Sequence, residues 1–332
     1  MEQEIMEDAI WITWERQIRN QSTSQYFGVP LFEIIRPTSS RTGRYLSCAK
    51  QTISIIFRQK PRILFAQNPS IVLAILAVVL GKLIRCKVVI DAHNTGIHGP
   101  ENGPNFISRA NRYVIRKSDA VIVTNAELAE YVQSLGGQPI ILPDPLPRLS
   151  PPDDLNTPSE PTDSQKLKAL CITSWSDDEP LSELLIAAKR LPDNVDFYFS
   201  GNFKRFLNSI PMELPENVKL MGFVEEAAFQ RQLFASDFCI DLTKRAACMV
   251  CGAYESISAE KPILLSNFAA QRNYFTKGTV FCDNSVEGIM AGIQELIDKI
   301  DEYKKEASEL KQEILTKEEQ QRAQVFSEIH SL

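Results

Sequence analysis

The chain has only three histidines, and one of them stands in an unusual place. Val88, Val89 and Ile90 form a β-branched run that leads through Asp91 and Ala92 to His93 and Asn94. Such a run is too apolar for an exposed loop and reads as a buried strand. Gly96, Gly99, Pro100, Gly103 and Pro104 follow and read as a loop. In open α/β sheets, ligands bind beyond the carboxyl ends of strands. His93 and its polar neighbours therefore occupy a ligand-binding position, although a strand-end histidine that only packs would leave the same pattern.

A second constellation runs from Asp241 to Glu255. A strand ends near Leu242, Lys244 and Arg245 form a short basic loop, and a helix begins near Val250. A helix start presents free N–H groups and a positive dipole end, so it favours phosphate. Lys244 and Arg245 would add charge beside it. Glu255, one turn in, can accept hydrogen bonds from sugar hydroxyls of a ligand whose phosphates sit at the helix start. A surface basic pair with a dipole-compensating glutamate would look alike in sequence.

The elements that must carry these groups alternate. In the first half, strands are predicted over 9–14, 31–35, 63–66, 88–91, 120–124 and 140–142. Helical patterns lie between them, over 16–26, 41–59, 70–85, 105–117 and 127–135. This rhythm implies βαβ units and a parallel sheet with helices on both faces. Seven prolines between Pro143 and Pro161 interrupt it and mark an interdomain linker. The alternation then restarts, with strands over 169–173, 196–200, 219–221, 238–242, 263–265 and 279–282. Helices are predicted over 181–190, 225–234, 250–259 and 269–275, and one long charged helical stretch over 286–327. The implied domains are 1–148, a linker at 149–166, 167–285, and a terminal helical segment at 286–332 that could return to the first domain. The cleft between two such halves is the default ligand site.

Composition narrows the partners. The chain has 332 residues and a net charge of -6, unevenly spread. Residues 1–150 hold 17 Lys/Arg and 12 Asp/Glu, while the remainder holds 19 and 30. A basic first half suits an anionic partner such as phosphate, nucleic acid or a membrane surface. The apolar run from Ile71 to Leu80 is far shorter than the roughly 20 residues of a spanning helix and reads as a buried helix between two strands. Seven cysteines without a preceding leader read as free thiols in a reducing cytoplasm. Cys248 and Cys251 have CxxC spacing, but a zinc site would need a second pair, so buried structural thiols are expected.

These segments together resemble nucleotide-sugar glycosyltransferases of the GT-B type. Val88–Asn94 resembles a family strand that ends in His-Asn. The run from Ser118 to Leu128 resembles the strand and helix after it, and Ile141-Leu-Pro-Asp144-Pro resembles the approach to the hinge. The run from Ser236 to Leu242, with Gly252 to Ser266, resembles the donor-site region. Thr173-Ser-Trp175-Ser-Asp-Asp-Glu179 is similar to mannosyltransferases that build dolichol-linked chitobiose cores. The resemblance spans most of residues 9–285. It implies an α/β fold of two Rossmann-like parallel-sheet domains facing a cleft. Three departures stand out. Ala247 replaces the first glutamate of the family's paired motif, Ser174 to Asp178 replace its Arg and Lys, and Trp14 to Arg19 replace its Gly-rich first loop.

The resemblance implies transfer of a sugar from a GDP- or UDP-linked donor to a saccharide or lipid-linked acceptor, in polysaccharide or glycolipid assembly. No cofactor or metal is implied, because fixed N–H groups and cations can stabilise the departing diphosphate. His93 and Asp91 are the catalytic candidates. Glu101 joins them as a possible base if the reaction inverts. Glu255, Lys244, Arg245, Gly252 and Asn94 would bind the donor, and Phe223 and Val224 its nucleobase. Arg16 and Arg19 would meet an anionic acceptor. Trp14 and Trp175 are expected to pack. The implied location is the cytoplasm, peripheral at the inner face of an anionic membrane, with no nucleic-acid partner. Two other readings stay open: a non-catalytic nucleotide-sugar or partner-binding protein, favoured by Ala247, and a GT-B-type nucleotide-sugar epimerase, for which no additional acid–base pair is found.

Overall fold

The computed structural model describes residues 6, 8–36, 40–68, 70–92, 96–97, 105–152, 166–191, 194–206 and 214–332. His93, Asn94, Glu101 and most of the Pro-rich linker lie outside the described residues. The chain divides into two compact units, 1–145 with 318–332, and 146–317.

The first unit is built on a six-stranded sheet of order β2-β1-β3-β4-β5-β6, and its strands pair in parallel. Its strands are β1 (Ala9–Thr13), β2 (Leu31–Glu33), β3 (Ile63–Asn68), β4 (Lys87–Ala92), β5 (Ala120–Val123) and β6 (Pro139–Ile141). Its helices are α1 (Ile18–Tyr26), α2 (Arg41–Gln59), α3 (Ile71–Ile84), α4 (Asn105–Lys117) and α5 (Ala126–Ser134). Local chemistry sets several ends. The Ser40 hydroxyl accepts the Gly43 N–H at 3.3 Å to start α2, and the Asn125 side chain accepts the Leu128 N–H at 3.0 Å to start α5.

Alternation along the strands sorts the core. Trp11, Phe65, Val89 and Ile122 pack on one face, with Phe27 and the terminal residues Val325 and Ile329. The Trp11 and Phe65 rings stack at 4.9 Å. Right-handed crossovers from β2 through β6 place α2, α3, α4 and α5 on the opposite face. There α3 lies so close to β4 that a Cβ at Gly81 would sit 2.2 Å from the Val88 side chain. The expected burial of α3 needs correction: only its inner stripe, Leu73, Ala74, Ala77, Val78, Leu80 and Gly81, is buried, while Val72, Val79 and Leu83 are exposed. A helix covering a sheet in the outer layer hides one face, however apolar it is all round.

The second unit repeats the plan with order β12-β11-β10-β7-β8-β9, again parallel. The strands are β7 (Leu167–Cys171), β8 (Val195–Ser200), β9 (Val218–Gly222), β10 (Phe238–Asp241), β11 (Ile263–Ser266) and β12 (Thr279–Cys282). The helices are α6 (Leu181–Arg190), α7 (Glu226–Ala235), α8 (Cys251–Ser258), α9 (Ala269–Tyr274), α10 (Val286–Asp298) and α11 (Ile300–His330). Ala169, Phe197, Ile240 and Leu264 face α6 and α10, while Leu170, Cys239, Ile263 and Leu265 face α7, α8 and the first half of α11. The single long helix expected over 286–327 is two helices, broken at Lys299, whose φ of -123° and ψ of 28° leave the helical region. The second of them runs on until residues 318–332 belong to the first unit. There the Tyr26 hydroxyl donates to the Glu318 carbonyl at 2.8 Å.

Gly81→Ala should destabilise the protein by about 1–3 kcal/mol through overpacking. Adding Val88→Ala should restore part of that loss. Urea unfolding of the three proteins checks both outcomes.

Candidate functional site

In the second unit the strand order reverses at β7, which pairs with β8 on one side and β10 on the other. The carboxyl ends of β7 and β10 thus flank a topological switch point, where a ligand is expected. Four groups of residues meet there.

Glu255 lies in the second turn of α8, half-buried. No hydrogen bond or ion pair to its carboxylate occurs among the described residues. Burial pushes its pKa up to about 7, and the Glu226 carboxylate on α7 adds to the shift.

Asp241 ends β10, and its carboxylate accepts the Gly252 N–H at 2.9 Å. A side-chain carboxyl group already occupies the start of α8. Gly252 is required by this approach, because a Cβ there would lie 2.4 Å from the Asp241 carboxylate and 2.7 Å from Ile172. Burial holds the Asp241 pKa well above the usual carboxylate range. The nearby Glu179 charge adds to that, and the Gly252 N–H opposes it without prevailing.

The β7–α6 turn is closed by Glu179. Its carboxylate accepts the N–H groups of Ser174 and Trp175 at 2.9 and 3.0 Å, and the Ser174 hydroxyl at 2.6 Å. Successive N–H groups converging on one point are an anion-binding arrangement, and here the anion is the chain's own side chain. Trp175 takes a positive φ of 60° to allow it. The Trp175 ring is buried beside Phe199, Phe203 and Phe206, and its indole N–H donates to the Ser200 carbonyl at 2.7 Å. It packs, as does Trp14, whose indole N–H donates to Thr52 at 2.9 Å.

Lys244 and Arg245 bind this turn to the β10–α8 loop. The Lys244 N–H donates to the Asp178 carbonyl at 2.6 Å, and its ammonium to the Asp177 carbonyl at 3.3 Å. Arg245 pairs with the Asp178 carboxylate at 3.2 Å. Arg245 is therefore already neutralised, whereas Lys244 is exposed and has no carboxylate partner among the described residues. Thr243, Ser266 and Asn284 hold the loop from beneath. The Ser266 hydroxyl accepts the Thr243 N–H at 3.0 Å, and the Asn284 amide donates to the Thr243 carbonyl at 2.8 Å. Phe223 stands apart at the end of the edge strand β9, 85% exposed, with Val224 beside it half-buried. Cys251 is exposed and Cys248 half-buried, which corrects the expectation that this pair is buried. Among the described residues, no three His, Cys, Asp or Glu side chains are grouped to hold a metal ion.

In the first unit the structure gives Asp91 and Arg19 a different role from the expected one. Both Asp91 oxygens accept from Arg19, at 3.0–3.2 Å, and both side chains are buried. Arg19 also pairs with Asp144 and donates to the Leu142 carbonyl at 3.2 Å. Burial alone would lower the Arg19 pKa, but Asp91 and Asp144 outweigh it and hold the guanidinium firmly charged. A carboxylate occupied by a buried arginine is not placed to take a proton from an acceptor, and Arg19 is not offered to one. Arg16 is exposed and remains available. Sequence reasoning missed Glu179, Thr243, Ser266, Asn284 and Asp144. Of these only Glu179 carried a local signal, as an acid five residues after Ser174 in a turn before a helix.

Residues 26–141 match the family described as "Glycosyl transferase 4-like domain". Comparison with curated proteins finds no match. Among solved structures, HepE of Anabaena, in complex with UDP and glucose, is 12% identical with a TM-score of 0.75 over 98% of this chain and 100% of that one. Sucrose-phosphate synthase of Thermosynechococcus elongatus is 12% identical with a TM-score of 0.72, over 90% of this chain and 84% of that one. The UDP-forming α,α-trehalose-phosphate synthase of Burkholderia vietnamiensis is 11% identical with a TM-score of 0.65, over 90% and 81%. The chain thus has the GT-B fold of two Rossmann-like domains, and residues 26–141 of its first unit are similar to the glycosyl transferase 4-like family.

Arg19→Met leaves two carboxylates unpaired and should cost about 3–5 kcal/mol in urea unfolding. Arg16→Met should change stability by less than about 0.5 kcal/mol. Glu179→Ala frees the Ser174 and Trp175 N–H groups. It should tighten binding of inorganic pyrophosphate about tenfold in calorimetric titration, since one hydrogen bond to a charged group is worth about 1.5–3 kcal/mol.

Proposed function

We propose that this protein is a glycosyltransferase that moves a sugar from a nucleoside-diphosphate donor to a saccharide or lipid-linked acceptor. Glu255 carries the reading: a half-buried carboxylate, without a protein partner among the described residues, at the switch point of a Rossmann-like unit. A buried polar group of this kind is costly unless something hydrogen-bonds to it, and the hydroxyls of a nucleotide sugar are suited to do so. Lys244 is the cation best placed to meet the departing diphosphate, and the reading calls for no metal ion. Phe223 and Val224 are assigned to the nucleobase. His93 and Asn94 remain the first unit's candidates for hydroxyls of the transferred sugar or the acceptor, and Arg16 for an anionic acceptor. The UDP in the HepE structure and the UDP-forming chemistry of the trehalose-phosphate synthase put UDP first among donor nucleotides, with GDP second.

One observation favours a second reading, in which the protein binds a nucleotide sugar without transferring it. The N–H groups of Ser174, Trp175 and Gly252 are all taken by Glu179 and Asp241. A leaving diphosphate would meet carboxylates where stabilisation is needed. Incubation with a panel of UDP- and GDP-sugars separates the readings. Hydrolysis or transfer of any donor supports the enzyme, and a thermal shift without turnover supports the binding protein. No shift with any donor rejects both.

Glu255 also sets a pH dependence. Its pKa rises from 4.5 in the unfolded chain to about 7 in the fold. Its contribution to stability is then full below 4.5 and is lost as pH rises through about 7. The melting temperature should show this loss, and Glu255→Gln should remove that part of it. UDP binding should follow the opposite course and strengthen as the carboxylate ionises through about pH 7. A UDP affinity that is flat with pH, or unchanged in Glu255→Gln, takes Glu255 out of the site.

A further inference from the structure

The outer faces of α2, α3 and α4 combine two properties that soluble surfaces seldom combine. The first is exposed apolar bulk in rows. Leu46, Ile53 and Phe57 on α2, and Val72, Val79 and Leu83 on α3, recur at the four- and seven-residue spacings that keep one side of a helix in line. Leu46 is 69% exposed, Leu83 70%, and Phe106, with Tyr113 on the outside of α4, 68%. Single exposed apolar residues are ordinary, but adjoining rows mark an interaction surface. The rows adjoin because α3 packs against both α2 and α4.

The second property is uncompensated positive charge. Lys50, Arg58, Lys82, Arg109, Arg112 and Lys117 lie exposed on these helices. From residue 34 to residue 90 the chain holds ten Lys/Arg and not one Asp or Glu, and α4 likewise has no acid. Exposed carboxylates next occur on this side of the sheet at Glu127 and Glu130 of α5. A nucleic acid would call for the cations but not for Leu46, Leu83 and Phe106. A protein partner buried against the rows would leave many cations to be matched one by one. An anionic bilayer meets both at once: its headgroups attract the lysines and arginines, and its interfacial zone takes the apolar side chains. Among the described residues no helix is long and apolar enough to cross a membrane, so the contact would lie on the surface.

We infer that the outer face of α2, α3 and α4 docks the protein on an anionic phospholipid surface. The inference deepens the lipid-linked acceptor reading by naming the surface through which the chain would reach such an acceptor. It stands on the charge and exposure of that face and is independent of the donor.

Sedimentation of the full chain with vesicles tests it. The wild type should pellet with equal parts of phosphatidylcholine and phosphatidylglycerol, release with added salt, and stay in solution with phosphatidylcholine alone. Lys82→Glu with Arg112→Glu should lower partitioning about tenfold or more, given about 1 kcal/mol per basic residue at such a surface. Leu83→Ser with Phe106→Ser should also lower it. All four positions are exposed, so melting temperatures should match the wild type. Lys189→Glu with Lys305→Glu, exposed in the second unit, should pellet like the wild type. The inference is overturned if the wild type ignores anionic vesicles, if it binds neutral ones equally, or if both face variants pellet as the wild type does. It is also overturned if those variants instead dissolve a dimer seen without vesicles, which would make the face a contact between copies. A UDP thermal shift on the same proteins reports on the donor site separately.

Discussion

The carboxyl edge of the first sheet depends on one buried cation. Burial opposes the charge of Arg19 at the start of α1. Asp91 at the end of β4 and Asp144, just before the chain leaves the unit, converge on it and reverse the balance. The guanidinium fork suits this task, since it can serve several acceptors at fixed angles. One interaction thus ties the first helix, a central strand and the exit of the domain together. The segment that carries His93 starts two residues after a clamped point.

The second unit solves the same electrostatic problem with the signs exchanged. The N–H groups that a Rossmann-like unit offers at its switch point are satisfied internally, by Glu179 in one loop and by Asp241 in the other. Lys244 and Arg245 are drawn toward the carboxylates and carbonyls of the same turn. The loops are stable without a ligand for that reason, because few buried polar groups are left unmatched. Glu255 stands out against this background: it is half-buried, raised to about 7 and unpartnered among the described residues. Both the enzyme reading and the binding-protein reading rest on that contrast.

The charge asymmetry of the sequence acquires a location in the fold. The excess of basic residues in the first half is concentrated on the outer helices of one sheet face, together with exposed Leu, Val and Phe side chains. The buried edge of the same unit uses its charges in pairs. Net charge by itself does not separate these two uses, since Arg19 and Arg112 count equally toward it.

Most of the architecture was legible from local patterns. β-branched runs such as Val88–Ile90 and Ala120–Val123 are apolar on both sides because parallel strands are covered on both faces, so they are visible without any knowledge of partners. The two-domain plan followed from that rhythm and from its interruption by proline. The candidate site could be read from sequence only where its residues are neighbours in the chain, as for Lys244, Gly252 and Glu255 in one loop and the helix after it. What the sequence could not reveal depends on pairing across long separations. Arg19 meets a carboxylate 72 positions away and another 125 away, and no spacing rule connects them. Nor does apolar content disclose which side of α3 will lack a cover. The sequence by itself determined which elements form and which residues can do chemistry, because both are set within a few turns of chain. Only the tertiary structure decided which charges neutralise each other and which apolar faces stay open, because those outcomes depend on what folding brings together.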